Sequence, residues 1–203
     1  MNNLEDSYKA KGLRRQLVKE IERKGIKSAT VLKAIGNMPR HVFFDSIFLE
    51  HAYEDKAFPI GEKQTISQPY TVAFQTELLN VSKGDKILEI GTGSGYQAAI
   101  LLELGADVFT IEYNQHLYQK TIDFLPKMGY NPHFFHGDGS LGLPKYAPYD
   151  SIVVTAGAPS VPDALIKQLK IGGVLVIPVG DQKQQKMIAI KKLSQNKASK
   201  KEF

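Results

Sequence analysis

The chain has 203 residues, of which 42% are hydrophobic, 26 are Lys or Arg and 21 are Asp or Glu. This length suits one α/β domain with a substantial core, and the ordinary apolar content excludes a disordered chain. No run of residues approaches the roughly 18 apolar residues that span a bilayer, and the polar N-terminus lacks the apolar core of a signal peptide. Because there is also no cysteine, the sequence excludes thiol catalysis and favours a cytoplasmic protein.

The net charge of +5 comes from one end of the chain. Residues 186–203 hold six lysines against one acid, Glu202, which accounts for all of the net charge. A lysine-rich end without interleaved aromatic residues is typical of a solvated terminus, not of a nucleic-acid surface. We therefore expect neither a nucleic-acid partner nor a membrane partner.

Two amphipathic helices are predicted within the first forty residues. Apolar residues recur every three or four positions, first at Leu13, Leu17 and Ile21, and again at Val31, Ile35 and Met38. Gly25 can end the first helix, while Ser28 and Pro39 delimit the second. Residues 40–63 show no clean period, so we predict that residues 1–63 form an N-terminal layer that is partly helical and partly irregular.

From residue 72 onward, predicted helices and strands alternate. The helices are 72–80, 96–104, 115–128 and 162–169; the strands are 86–90, 107–112, 133–138, 149–156 and 172–180; and 186–193 is an edge strand. Alternation of this kind predicts an α/β fold with a doubly wound, mainly parallel sheet. We assign residues 64–193 to this core and residues 194–203 to a lysine-rich tail, all within a single domain.

A glycine-rich segment, LEIGTGSGY, joins the first strand of this core to its helix. Gly91, Gly93 and Gly95 leave no side chains to block a ligand from the backbone. The amides at the start of the next helix then face that ligand. The loop therefore predicts a nucleotide-type binding site, although tight packing alone would also explain its glycines.

Three familiar glycine-rich motifs do not fit this loop. A P-loop needs Lys followed by Ser or Thr after its last glycine, whereas Tyr96 and Gln97 follow here. The dinucleotide fingerprint is G-x-G-x-x-G, whereas this loop reads G-x-G-x-G. A nucleophile elbow would need glycines two residues either side of Ser94, where the chain has Thr92 and Tyr96.

Carboxylates lie at or near the ends of three successive predicted strands. Glu112 ends the second strand, 21 residues after Gly91, where a carboxylate accepts both hydrogen bonds of a ribose diol. Asp138 follows the third strand, where it could meet an adenine amino group, and Glu89 lies near the end of the first. An acidic pocket suits a cationic nucleoside better than an anionic dinucleotide, which indicates S-adenosylmethionine.

Six segments together resemble the bacterial form of the protein-L-isoaspartate O-methyltransferase family. They are ISQPY, LEIGTGSGYQAA, HGDG, APYDSIVVTA, VPDALIKQL and GGVLVIPVG. The glycine-rich loop is common to many methyltransferases, whereas TISQP combined with APYD and IPVG is far more specific. The resemblance runs from about residue 12 to residue 191 and implies a Rossmann-like methyltransferase sheet.

The resemblance implies a monomeric cytoplasmic enzyme that methylates the misplaced α-carboxyl of L-isoaspartyl residues in damaged proteins and peptides. S-adenosyl-L-methionine would be the methyl donor and S-adenosyl-L-homocysteine its product. The methyl ester would cyclise to a succinimide, whose hydrolysis returns some normal aspartate. The active-site residue implied is Ser67, and the implied cofactor contacts are Gln64, Thr65, Ile66, Ser67, Glu89, Gly91, Thr92, Gly93, Ser94, Gly95, Glu112, Asp138 and Gly139.

The end of the chain departs from the family pattern. The family continues with another strand and a Val-Pro-Leu-like segment that helps to close the site. Residues 193–203, LSQNKASKKEF, contain nothing comparable. The sequence therefore predicts either a naturally short member of the family or a truncated one.

The chemistry of the implied reaction explains why the segment QTISQPYT contains no basic or acidic side chain. An isoaspartyl α-carboxyl has a pKa of roughly 3.5 and is already ionised at pH 7, so it needs no general base. The site must instead hold the carboxylate in line with the sulfonium methyl and exclude water. We therefore interpret Ser67 as a positioning donor, not as a nucleophile.

Two other functions remain open at the level of sequence. One is a related methyltransferase with another carboxylate or protein acceptor, and the other is a non-catalytic adaptor that retains the fold. The five histidines do not indicate a metal site, because His133 and His136 lie on opposite faces of a strand and the others have no partner at ligand spacing.

Overall fold

The computed structural model of the protein describes residues 6–181 and 184–203. Its first two helices are α1 (Tyr8–Arg23) and α2 (Ala29–Asn37). Each begins at a serine whose hydroxyl accepts a backbone hydrogen bond, Ser7 from Ala10 and Ser28 from Val31. Such caps satisfy amides that have no partner within the helix. Both predicted helices are confirmed.

The stretch between α2 and the sheet contains a β-hairpin that the sequence analysis predicted as irregular. Two 3₁₀ turns (Arg40–Phe43 and Ser46–His51) lead into β1 (Phe58–Gly61), which pairs antiparallel with β2 (Gln64–Ile66). The turn between the strands places two non-glycine residues in the left-handed region, Glu62 with φ 52° and Lys63 with φ 56°. Neither residue type signals such a turn, so the hairpin left no pattern in the sequence.

A seven-stranded sheet forms the rest of the molecule. Its strands and the helices between them, starting with α3, are α3 (Pro69–Leu79), β3 (Lys86–Ile90), α4 (Tyr96–Glu103), β4 (Asp107–Glu112), α5 (Gln115–Phe124), β5 (His133–His136), β6 (Tyr149–Val154), α6 (Asp163–Lys167), β7 (Leu169–Gly180), β8 (Gln185–Ser194) and β9 (Lys197–Glu202). The strand order is β5-β4-β3-β6-β7-β8-β9, parallel from β5 to β7 and antiparallel thereafter. This confirms the doubly wound, mainly parallel fold and its N-terminal helical layer.

Neighbouring residues of each central strand enter different cores. On β3, Ile87 packs into the core that includes α1 and α2, whereas Leu88 packs into a second core on the opposite face. On β6, Val153 and Ile152 divide in the same way. Both faces of the sheet are therefore covered, as a near-continuous apolar strand sequence predicts.

Several boundaries differ from the sequence prediction, including the ends of β5 and β6, which lie two residues earlier than predicted. Helix α3 begins at Pro69 instead of residue 72, because proline suits the first helical position, where no amide donor is needed. Helix α5 ends at Phe124, and residues Leu125–Met128 form a 3₁₀ turn around Pro126. Strand β7 starts at Leu169, so the helix before it is shorter than predicted.

The end of the chain differs most from the prediction. Residues 186–193 lie within β8, which is not an edge strand, because β9 pairs with its far side. The expectation that nothing strand-like follows residue 193 was therefore wrong, and the sheet extends to Glu202 within the segment taken as a tail. The side chains of β9 are all exposed, so this strand is ordered through its backbone hydrogen bonds.

Candidate active site

A cavity of about 710 Å³ lies at the carboxyl ends of the parallel strands. Its floor is formed where β3 and β6 are neighbours, with β4 and β5 on one side and β7 on the other. Ligands of open α/β sheets bind at this kind of position, where consecutive strands run to opposite sides. The volume is within the range of about 300–1,000 Å³ that small-molecule sites have.

The glycine-rich loop after β3 takes a backbone shape that requires glycine. Gly91, Gly93 and Gly95 have φ values of 94°, 53° and 84°, which other residues rarely adopt. A Cβ on Gly91 would lie 2.5 Å from Oγ1 of Thr155, and one on Gly95 would lie 2.7 Å from a methyl carbon of Leu125. A side chain at position 91 would thus collide with Thr155, directly after β6. A side chain at position 95 would collide with Leu125, directly after α5.

Glu112 connects two loops at the edge of the cavity. Its Oε2 accepts a hydrogen bond from the amide of Gly93 at 2.8 Å, and its Oε1 accepts one from the amide of Asn114, also at 2.8 Å. The residue is 7% exposed and lines the cavity. Each carboxylate oxygen has two acceptor positions, so Glu112 retains capacity for the two hydroxyls of a ribose.

Asp138 lies on the same side of the cavity, two residues after β5. Its Oδ1 accepts a hydrogen bond from the amide of Ser140 at 2.9 Å, and this hydrogen bond holds the pKa of Asp138 below its ordinary value. The following residue, Gly139, is buried, and a Cβ there would lie 2.3 Å from the Cγ2 atom of Ile90. Gly139 therefore packs directly against Ile90 and adds no side chain to the cavity wall, which leaves room for a planar base.

Glu89 lies beneath the floor of the cavity and does not line it. Its side chain is fully buried, and its Oε2 accepts a hydrogen bond of 2.5 Å from Thr110, whose hydroxyl lies 2.6 Å from that of Thr92. Thr92 does line the cavity. Burial raises the pKa of Glu89 to about 8, with the Thr110 hydrogen bond acting against this effect and the charge of Glu112 adding to it. Glu89 therefore reaches the cavity only through two hydroxyl groups.

The second strand of the hairpin and the residue after it form the other wall. Gln64, Thr65 and Ser67 line the cavity, and the side chain of Ile66 is buried in the core instead. Opposite them, the residues directly after β6 are small, from Thr155 to Ala158. The structure therefore places all of the predicted site residues in the lining of the cavity except Ile66, Glu89 and Gly95.

Some cavity residues were not predicted. Tyr113 and Asn114 directly follow Glu112, and Tyr96 begins α4. Their positions next to predicted residues were the only available signal. Thr155 was not predicted as a site residue either, and its Oγ1 lies 2.6 Å from the backbone oxygen of Gly91 and 3.0 Å from that of Ile90. It therefore links the end of β6 to the loop after β3.

The charge of the cavity is one-sided. Within residues 6–181 and 184–203, its lining includes the carboxylates of Glu112 and Asp138 and contains no Lys, Arg or His side chain. A phosphate group would find no cation here, whereas a sulfonium or ammonium group would be attracted. The donor set therefore fits a cationic nucleoside, as the sequence analysis predicted.

The described residues contain no group of three or more His, Cys, Asp and Glu side chains arranged to hold a metal ion. His133 contacts Asp107 at 3.0 Å, and His136 contacts the backbone oxygen of Tyr113 at 3.1 Å. Within the same part of the chain, no helix combines the length and the apolar character needed to cross a membrane.

The chain is similar in sequence to a known family of proteins. The model of the Protein-L-isoaspartate(D-aspartate) O-methyltransferase family matches residues 12–203. The chain belongs to this family. The family resemblance derived from the sequence is therefore confirmed.

Individual relatives agree with this assignment. A protein-L-isoaspartate O-methyltransferase from Cytophaga hutchinsonii is 59% identical over 199 residues, covering 98% of this chain and 90% of that protein. One from Christiangramia forsetii is 59% identical over 190 residues, covering 93% and 89%. A solved protein-L-isoaspartate O-methyltransferase is 32% identical, with a TM-score of 0.79 over 88% of this chain and 60% of that one.

A second solved structure shares the fold at lower identity. It is a putative protein-L-isoaspartate O-methyltransferase from Plasmodium falciparum in complex with S-adenosyl-L-homocysteine, 21% identical, with a TM-score of 0.79. The match covers 94% of each chain. The N-terminal layer and the sheet therefore belong to one fold over nearly the whole length.

Proposed function

We propose that this protein transfers a methyl group from S-adenosyl-L-methionine to the α-carboxyl of L-isoaspartyl residues in damaged proteins and peptides. Membership of the family supports this activity. The observation that carries the proposal for the site is the cavity lining, whose charged groups, among the residues that the structure describes, are the two carboxylates Glu112 and Asp138. They suit a cationic nucleoside donor and leave the rest of the wall to hydroxyls, amides and apolar groups.

The residues at the strand ends would hold the cofactor. Glu112 would accept hydrogen bonds from the ribose diol, and Asp138 would accept one from the adenine amino group through its Oδ2. Gly139, which has no side chain, leaves room for the base, and the loop from Gly91 to Gly95 presents backbone to the amino-acid part. When bound, S-adenosyl-L-methionine supplies a methyl group activated by its attachment to a positively charged sulfur.

The segment after the hairpin would hold the acceptor. Ser67 would donate a hydrogen bond to one oxygen of the isoaspartyl carboxylate and so orient the other oxygen toward the methyl group. The small residues at 156–158 leave space for the polypeptide on either side of this carboxylate. No proton has to be removed, because the carboxyl group is ionised at neutral pH.

The protein's residues would lower the barrier mainly by geometry and by excluding water. The two reacting groups carry opposite charges that cancel in the transition state, so bulk water stabilises the separated reactants more than the transition state. The apolar part of the lining, which includes Val72, Leu165 and Ile177, reduces that solvation. The remaining decrease in the barrier would come from holding the carboxylate oxygen in line with the methyl group, at roughly 3 Å.

The proposal is tested with labelled S-adenosyl-L-methionine and two peptides that differ only in an isoaspartyl or aspartyl linkage. Label in the isoaspartyl peptide alone is the expected result. Label in both peptides, or in neither despite cofactor binding, would contradict the proposed acceptor and indicate another acceptor or a non-catalytic role. We further propose that the enzyme is cytoplasmic and monomeric. Sedimentation at micromolar concentration tests the oligomeric state.

A further inference from the structure

The backbone of Ser67 is held from behind by a buried arginine. Arg40 is 1% exposed, and its Nη2 donates a hydrogen bond of 2.9 Å to the backbone oxygen of Ser67. Its Nε donates to the backbone oxygen of Ala52 at 3.1 Å. The guanidinium group thus ties the wall of the cavity to the loop between the 3₁₀ turns and β1.

A buried aspartate holds the next residues of the same segment. Asp55 is 9% exposed, and its Oδ1 accepts a hydrogen bond of 2.7 Å from the amide of Tyr70. Its Oδ2 accepts one from the side chain of Gln68 at 3.0 Å and is paired with Lys24 at 2.6 Å. Because Pro69 has no amide hydrogen, Tyr70 provides the first free amide of α3, and Asp55 acts as the missing helix cap.

The buried charge of Arg40 carries a desolvation cost that an apolar side chain would not have. Its guanidinium carbon lies 4.6 Å from the ring centre of Tyr96 and 5.3 Å from that of Phe44, and its hydrogen-bond acceptors are backbone oxygens. Desolvation disfavours a buried charge, and well-packed apolar residues often replace one without loss of stability. Packing alone therefore does not explain an arginine here, whereas its hydrogen bonds to the backbone oxygens of Ala52, Lys56 and Ser67 do, and the one to Ser67 is the shortest.

The two contacts determine how the wall faces the cavity. The bond from Arg40 fixes the carbonyl of Ser67 toward a side chain that does not line the cavity, and the bonds to Asp55 fix the residues that follow. Rotation of the peptide unit between Ser67 and Gln68 is thereby restricted from both ends. Since Ser67 lines the cavity, these contacts fix the backbone from which its hydroxyl projects.

We propose that Arg40 and Asp55 are positioning residues that orient Ser67 toward the acceptor carboxylate without touching substrate or cofactor. The inference rests on the proposed function, because it assigns the orientation a role in methyl transfer. It predicts that loss of either contact reduces turnover of the isoaspartyl peptide while the cofactor site, which lies at the strand ends, keeps its affinity.

The test compares Arg40→Lys and Asp55→Asn with a matched control, Arg14→Lys. Arg14 is a second buried arginine of the N-terminal layer, 7% exposed, which donates to the backbone oxygen of Gly36 and does not contact the segment from Ser67 to Tyr70. Equilibrium binding of S-adenosyl-L-homocysteine counts the folded sites, and kcat and KM for the isoaspartyl peptide are then expressed per site. This normalisation removes any effect of lower stability.

For the Arg40 and Asp55 variants we expect kcat per site to fall roughly 10- to 100-fold, with the dissociation constant of S-adenosyl-L-homocysteine within about threefold of the original protein. The Arg14 variant should keep its kcat per site within about twofold. Normal kcat per site in Arg40→Lys, or an equal loss in the Arg14 variant, would overturn the inference.

Amide hydrogen exchange provides a readout that does not depend on activity. Peptides covering residues 64–71 should exchange faster in the Arg40 and Asp55 variants than in the Arg14 variant, with the amide of Tyr70 most affected. If the original protein does not methylate the isoaspartyl peptide, the proposed function fails, and this exchange comparison still decides whether the two residues hold the segment. Unchanged exchange in both variants would contradict the inference directly.

Discussion

The cofactor side and the acceptor side of the cavity are supported in different ways. On the cofactor side, the loops after β3, β4 and β5 follow directly from parallel strands, and Glu112 joins two of them through backbone amides. On the acceptor side, residues 64–66 are the second strand of a short hairpin, and residues 67–70 after it are held by Arg40 and Asp55. Regular secondary structure therefore positions one wall, and buried charged side chains position the other.

The largest effect expected on either side is that of Ser67→Ala. Loss of one well-placed donor from a site where charge is redistributed costs roughly 100- to 1,000-fold in turnover, and we expect a decrease of this order in kcat for the isoaspartyl peptide. Cofactor affinity should change by no more than a few-fold, as binding titrations would show. Ser199→Ala, on the exposed strand β9, is the control, and near-normal turnover in Ser67→Ala would remove the assigned role.

The corresponding change on the cofactor side is Glu112→Gln. The glutamine side chain has one acceptor oxygen where the glutamate has two. One of the two backbone N–H groups of the loops, and part of the ribose contact, would therefore lose their acceptor. We expect S-adenosyl-L-homocysteine to bind roughly 10- to 100-fold more weakly, while kcat at saturating cofactor falls far less. Asp107→Asn, at the opposite end of the same strand, should bind normally, and unaltered cofactor binding in Glu112→Gln would argue against the ribose contact.

A smaller effect concerns stability, through Glu89 beneath the cofactor side. Burial raises its pKa from 4.5 to about 8, so the folded state retains a proton that the unfolded state releases above pH 4.5. Its contribution to stability is therefore complete below pH 4.5 and is lost as pH rises toward 8, at a rate approaching roughly 1.4 kcal/mol per pH unit.

Urea unfolding of Glu89→Gln at pH 6 and pH 8 measures this contribution. The variant should lose less of its free energy of unfolding between these two pH values than the original protein does. Equal losses in the two proteins would mean that Glu89 titrates normally, and the proposed burial of a protonated carboxyl would then be wrong.

The smallest effect is expected where the two sides meet. Glu62, in the hairpin turn, contacts His116 at 2.8 Å and Asn114 at 3.3 Å, and these contacts lower the pKa of Glu62. The side chains of Glu62 and His116 are both exposed, so solvent and salt weaken their contact. Glu62→Gln should therefore change cofactor affinity by less than about threefold at low salt and not measurably at 1 M salt, as calorimetric titrations would establish.

The same contrast explains which features the sequence predicted. The bounds of β3 and β4 match the prediction because buried parallel strands are continuous apolar runs. Glu112 was found because the spacing from a glycine-rich loop to the next strand end is fixed by the βα unit. The general location of Asp138 follows from the same regularity.

Other parts of the site could not be predicted by such reasoning. Arg40 and Ser67 are 27 residues apart with no regular element linking them, and the hairpin between them has a turn built from Glu62 and Lys63. Glu89 was predicted as a cofactor contact because it precedes the loop, but the alternation of the strand directs its side chain beneath the floor. These features depend on tertiary contacts that leave no local pattern.

The pair of amides held by Glu112 has a consequence for the thermodynamics of binding. The loops that contain Gly93 and Asn114 are joined to one carboxylate before any ligand arrives. The conformational entropy of these two loops is therefore lost during folding and not when the nucleoside binds. Preorganisation of this kind reduces the entropic cost of association. If either backbone amide lost its hydrogen bond to Glu112, the nucleoside should bind more weakly, mainly through a less favourable entropy of binding. This holds even where every contact to the ligand is still formed.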